Sequence, residues 1–143
     1  MTRAADLSSD VPLRPTAKLA LAAEVVAAYV RVRRSLRRSG LQGVLAELRA
    51  VDAKAVRRLA EPVAGGRRLG RIVARTLAAL PADSRCLSQS LVLTRLLASR
   101  GVESRLVIAA RPGKHFAAHA WVEHDGVPLL PPSAGQFEEL VRL

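Results

Sequence analysis

Cysteine is almost absent from this 143-residue chain, in which Cys86 is the only one. A lone thiol has no partner within the chain for a structural disulfide, so Cys86 is either a small buried hydrophobe or a nucleophile. Aromatic residues are nearly as scarce: one Trp, one Tyr and two Phe. That argues against the stacking platforms used by single-strand nucleic-acid binders and implies a core of Leu, Val and Ala. Long apolar runs are missing too, since Leu19 to Val30 is interrupted by Glu24 and falls short of the ~20 residues that span a bilayer. The first residues lack the apolar segment of a secretory signal. A cytoplasmic location is the expectation, and a reducing compartment suits one free thiol.

Acidic residues are outnumbered, 12 against 23 basic, for a net charge of +11. Twenty of the basic residues are Arg and three are Lys. A basic footprint exists, but no nucleic-acid-binding module accompanies it, and nucleic acid is not an expected partner. The cluster Arg31, Arg33, Arg34, Arg37 and Arg38 reads as a solvated face, with docking of an acidic partner as its alternative. Membrane association of the preceding helix is not expected, because most such helices bury their apolar stripe.

Half of the residues are hydrophobic, and the length suits one domain with its own core. Residues 1–15, with Pro12 and Pro15, read as a mobile arm before a single domain at 16–143. Within it, 16–80 is a helical subregion and 81–143 the chemical core. Thr16 is placed to cap a first helix running to about Arg34, with Leu21, Val25, Ala28 and Val32 on one face. After a break at Ser39-Gly40, a second helical run covers Leu41 to about Leu59. Glu61 to Gly66 is a linker by composition, and a third helix spans Arg67 to Leu80.

The stretch around Cys86 carries helix signals at both ends. Asp83 or Ser84 can cap it, leucines recur at helical spacing, and Gly101 can take the left-handed position after Arg100. Cys86 therefore falls in the first turn, where the helix dipole and free backbone N–H groups favour a thiolate and could receive an oxyanion. Beyond Gly101 the pattern becomes extended. Val102 to Ala110 reads as a strand, Arg111 to Lys114 as a turn, and His115 to Glu123 as a strand. Asp125-Gly126 is a tight-turn signal leading into Val127 to Leu130. A histidine, His119, on a strand after a cysteine at a helix N-terminus supplies what general-base activation of a thiol requires. The architecture is α+β: a helical first half, then a Cys-bearing central helix packed on a small antiparallel sheet.

His115 and His119 also form His-x-x-x-His, yet Phe116 stands where a zincin needs its glutamate and Trp121-Val122 argues for a strand. No metal or other cofactor is expected. His124, at the hairpin end, is expected in solvent. Trp121 lies on the same strand face as His119, and either walls a cleft or fills the core. Ser90, one turn after Cys86, either contacts substrate or packs the helix.

In order, Arg85-Cys86-Leu87-Ser88-Gln89-Ser90-Leu91, Leu96 to Val102, Ile108 to Pro112, and Phe116 to Glu123 resemble the leader peptidases of lasso-peptide biosynthesis in their split form. The resemblance covers about residues 67–130 closely. It implies a transglutaminase-like, papain-related fold and a cysteine protease, with Cys86 as nucleophile and His119 as base. It also implies three partners: a precursor peptide, a separate leader-binding protein (a RiPP recognition element) and a macrolactam cyclase.

The family completes the pair with an Asp, and here the chain departs from it. A two-residue turn at Asp125-Gly126 pairs Glu123 with Pro128 and, extended further, Trp121 with Leu130 and His119 with Pro132. The expected Asp position is held by Pro131. Along a regular strand Glu123 lies about 13 Å and Asp125 about 20 Å from His119, out of reach. Ser133 or a backbone carbonyl is the nearer candidate, and the orienting third residue stays open. Two rivals remain: another acyl transfer such as transamidation, and a non-catalytic or weakly active scaffold in a peptide-maturation complex.

Overall fold

The computed structural model describes residues 12–50, 59–80, 86–111, 117–130 and 138–143. Three helices, α1 (Pro15–Arg49), α2 (Pro62–Ala78) and α3 (Cys86–Ala98), precede four strands. The strands are β1 (Arg105–Arg111), β2 (Ala117–His124), β3 (Val127–Pro128) and β4 (Glu138–Arg142). They form one antiparallel sheet in the order β3-β2-β1-β4. The expected α+β architecture is the one observed.

Helix α1 starts on proline, not on a cap. Pro15 occupies the first turn, where its missing N–H is no loss, and Arg14 precedes it without a side-chain cap, so Thr16 is not the capping residue expected of it. The break expected at Ser39-Gly40 is a kink: Gly40 adopts φ 66° and ψ −170° between two helical pieces. Ser35 Oγ donates to Glu47 Oε1 at 2.8 Å across that kink and holds the pieces together. The second piece ends at Arg49, well short of the expected Leu59, and residues 51–58 lie outside the described ones. Burial and the charge of Arg31 push Arg95 of α3 below the usual guanidinium value, and Glu47 opposes them.

Glu61 to Gly66 is not a linker. Pro62 opens α2, and Gly65, Gly66 and Gly70 are buried within it. A Cβ on Gly66 would lie 2.8 Å from Leu129 Cδ1, and one on Gly70 would lie 2.9 Å from the Leu129 carbonyl oxygen. Composition read as flexibility what is a bare helix stripe, against which the chain after β3 is pressed.

The end of α3 follows the sequence closely. Gly101 takes φ 68°, its N–H donates to Ala98 O at 3.0 Å, and Val102 N–H donates to Leu97 O at 3.0 Å. These are the two bonds of a Schellman cap. Arg100, just before that glycine, forks onto Glu24 of α1 with both N···O distances 2.9 Å. Glu24 thus breaks the apolar run of α1 to pair a buried guanidinium.

The core is aliphatic, as the shortage of aromatics implied. Leu69, Val73 and Leu77 of α2 and Leu91, Leu93 and Leu97 of α3 are fully buried, together with Val25 and Val44 of α1. The β2–β3 turn has positive φ at both Asp125 (48°) and Gly126 (78°), the signature of a type I′ turn. Its register, Glu123 with Pro128 and His124 with Val127, is the expected one. In the same register Leu129 donates its N–H to Val122 O, and the Leu130 side chain lies against Gly70. β4 had no expected counterpart; it pairs with β1 through a bulge between Ile108 and Ala109.

Gly70→Ala is expected to lower stability by about 1–2 kcal/mol in urea unfolding, because a backbone carbonyl stands where the methyl must go and overpacking outweighs the gain in helix propensity. Gly66→Ala is expected to cost less, since the flexible end of Leu129 can yield.

Candidate functional site

Cys86 is the first residue of α3, half-buried, and packed against the hydrophobic core. The N–H groups of the first helical turn have no intrahelical acceptor. The expected caps Asp83 and Ser84 lie outside the described residues, as do His115, Pro131 and Ser133.

β2 divides its residues between two environments. Ala120 and Val122 join the core with the helices, beside Ile108 and Leu106 of β1. By alternation His119, Trp121 and Glu123 share the other face. There the His119 and Trp121 rings stack at 6.0 Å with 26° between their planes, and Trp121 Nε1 donates to Glu123 Oε1 at 2.9 Å. The cross-strand neighbour of His119 is Ala109 and that of Trp121 is Val107, both fully buried. Trp121 therefore orients the imidazole side of the strand by stacking, and Glu123 fixes the indole. This contact was legible in principle, because residues two apart in a strand share a face.

The join between α3 and β2 is specific. Val122 O points away from β1, since it accepts from Leu129, and Ala120 O, two residues before it, points the same way. Among the described residues β3 pairs only with Glu123 and His124, and Ser90 Oγ donates to Ala120 O at 3.1 Å. Ser90 has no exposed surface. Of its two readings the buried hydroxyl performs the packing one, bonding α3 to the backbone of β2. Cys86 precedes Ser90 by one helical turn, and His119 precedes Ala120 by one residue.

His124 is not in solvent as expected. It is half-buried, its Nδ1 donating to Glu103 O at 2.6 Å and its Nε2 standing 3.4 Å from Asp125 Oδ2. Among the described residues, no group of three or more His, Cys, Asp or Glu is placed to hold a metal ion. Nor is any helix among them long and apolar enough to cross a membrane. A groove of about 730 Å³ opens at the far end of α3, lined by Leu45, Leu48, Thr94, Ala98, Glu103 and Arg105 among others. It is remote from Cys86, because Thr94 and Ala98 lie about 12 and 18 Å further along the helix.

The family model described as the transglutaminase-like superfamily matches residues 26–142. The chain belongs to the transglutaminase-like superfamily. Its members are typically cysteine-based peptidases or acyltransferases, which makes a cysteine-dependent enzyme the class to which this fold points. Comparison with curated proteins and with solved structures gives no match.

Ser90→Ala is expected to destabilise the fold by about 1–3 kcal/mol, measured by urea unfolding, because the Ala120 carbonyl loses its partner in a buried place. An unchanged transition midpoint would show that the hydroxyl does not tie the helix to the strand.

Proposed function

We propose that this chain is a cysteine peptidase that removes the leader from a ribosomally made lasso-peptide precursor. One observation carries the reading: the single thiol opens α3, and α3 is hydrogen-bonded one turn later to the strand bearing His119. Superfamily membership supports thiol chemistry. The choice of substrate rests on the ordered resemblance from Arg85 to Glu123. The Ser90–Ala120 bond, which ties α3 to the outer edge of β2, supports this pairing of Cys86 with His119.

In this mechanism His119 takes the proton of Cys86, and the thiolate attacks the carbonyl at the leader–core junction. First-turn N–H groups of α3 receive the oxyanion. Collapse of the tetrahedral adduct breaks the peptide bond; the core leaves as an amine protonated by His119, and the leader stays as a thioester on Sγ. Water, deprotonated by His119, then releases the leader as a carboxylate and restores the thiol. This chemistry calls on no cofactor. The Trp121–Glu123 contact steadies the ring beside His119, while the third catalytic residue stays unassigned. The partners proposed with this activity are the precursor, a separate leader-binding protein that delivers it, and the macrolactam cyclase that takes the freed core.

Incubation with precursor and leader-binding partner, read by mass spectrometry, tests the proposal. Cleavage is expected from the wild type and abolished in Cys86→Ala and His119→Ala with unchanged circular dichroism, whereas His115→Ala retains much of it. Cleavage by Cys86→Ala would sink the mechanism, and an amine adduct in place of the free acid would mark a transamidase. No cleavage by the wild type with its partner would favour a scaffold.

The leader-binding partner is also expected to raise the cleavage rate of the full precursor. Equal rates with and without it would count against a separate delivery protein.

A further inference from the structure

The outer face of α1 has a composition that neither the core nor the proposed site uses. At about 100° per residue, Leu19, Ala23, Val30, Arg33, Arg34 and Arg37 fall within a stripe about 100° wide, opposite the buried Val25, Ala28 and Val32. All six are exposed, and Leu19 and Val30 are the exposed large hydrophobic residues of the described chain. The stripe is apolar over its first turns and basic over its last. No acidic residue occurs between Glu24 and Glu47, so nothing in that sequence offsets the arginines. Arg33 is also held in place: its Nη1 donates to Tyr29 Oη at 2.6 Å, and its guanidinium lies 5.9 Å from the centre of that ring. A guanidinium already fixed loses less entropy on meeting a carboxylate.

We propose that this stripe docks an amphipathic acidic helix of a partner protein, apolar where it meets Leu19, Ala23 and Val30 and carrying carboxylates against Arg33, Arg34 and Arg37. Small Ala23 and half-buried Val26 between the two larger residues allow close helix approach. Charge excludes a second copy in antiparallel pairing, which would set Arg14 and Lys18 against the arginines. An anionic membrane would call for more bulk than Leu19 and Val30 provide, and a nucleic acid would leave the apolar half of the stripe without a role. The proposal does not depend on peptidase activity, because its readout is binding.

The test uses the full chain and two fluorescent synthetic helical peptides, each with a Leu/Ala stripe and a Glu-rich half, placed at opposite ends. Oligouridylate and phosphatidylserine-containing vesicles serve as comparison probes. Saturable binding of one peptide is expected, weakened at least about tenfold in Arg34→Glu/Arg37→Glu and little changed in Arg71→Glu/Arg75→Glu, which alters net charge equally on exposed positions of α2. Ala23→Arg, which blocks the apolar half, should weaken binding as well. Equal loss in the two double variants, tighter binding of oligouridylate or vesicles, or no binding of either peptide would overturn the proposal.

Discussion

The arrangement of this protein depends on how α3 meets the outer edge of β2. Among the described residues the two-residue β3 pairs with only the last two residues of the eight-residue β2, and the backbone groups of a strand edge need partners. The Ser90 hydroxyl donates to Ala120 O on that edge. One contact thereby sets the height of α3 along β2. Cys86 opens that helix one turn before Ser90, and His119 is the residue before Ala120.

The helical layer holds that contact in place by two different means. On one side, Gly66 and Gly70 remove side chains from α2 so that Leu129 and Leu130 pack against its backbone. On the other, Arg100 reaches from the end of α3 to Glu24 of α1, with the guanidinium almost wholly buried and the carboxylate partly in water. A fork of this kind tolerates little displacement, since either partner moved would leave a buried charge unpaired. Packing against glycine thus fixes the chain after β3 on α2, and pairing of charge fixes the C-terminal end of α3 on α1.

Much of this was legible in local sequence. The Cys86 helix, its Gly101 cap, the Asp125-Gly126 turn with its register and the shared face of His119 and Trp121 each follow from residues within a few positions of one another. What failed was reading composition without contacts. Glu61 to Gly66 looked like a linker because glycine is permissive, and became helix because a neighbour needed the space. β4 gave no alternating pattern, and exists because β1 has a second edge to pair. Glu24 read as an interruption until Arg100, 76 residues away, supplied its partner.

By itself the sequence determined which residues have the chemistry: one thiol, a histidine on a strand, an aliphatic core and an arginine-rich helix face. Chain order and short-range geometry suffice for those, because helix starts, tight turns and strand alternation are local properties of the backbone. Only the tertiary structure decided that Ser90 is a fastener, that Glu123 acts on Trp121, that His124 is tucked against Glu103, and that Leu129 and Leu130 pack against the glycines of α2. Each of these is a contest between partners far apart in the chain. Its outcome depends on which hydrogen bonds and contacts survive once the sheet edge and the helix stripe have both been covered.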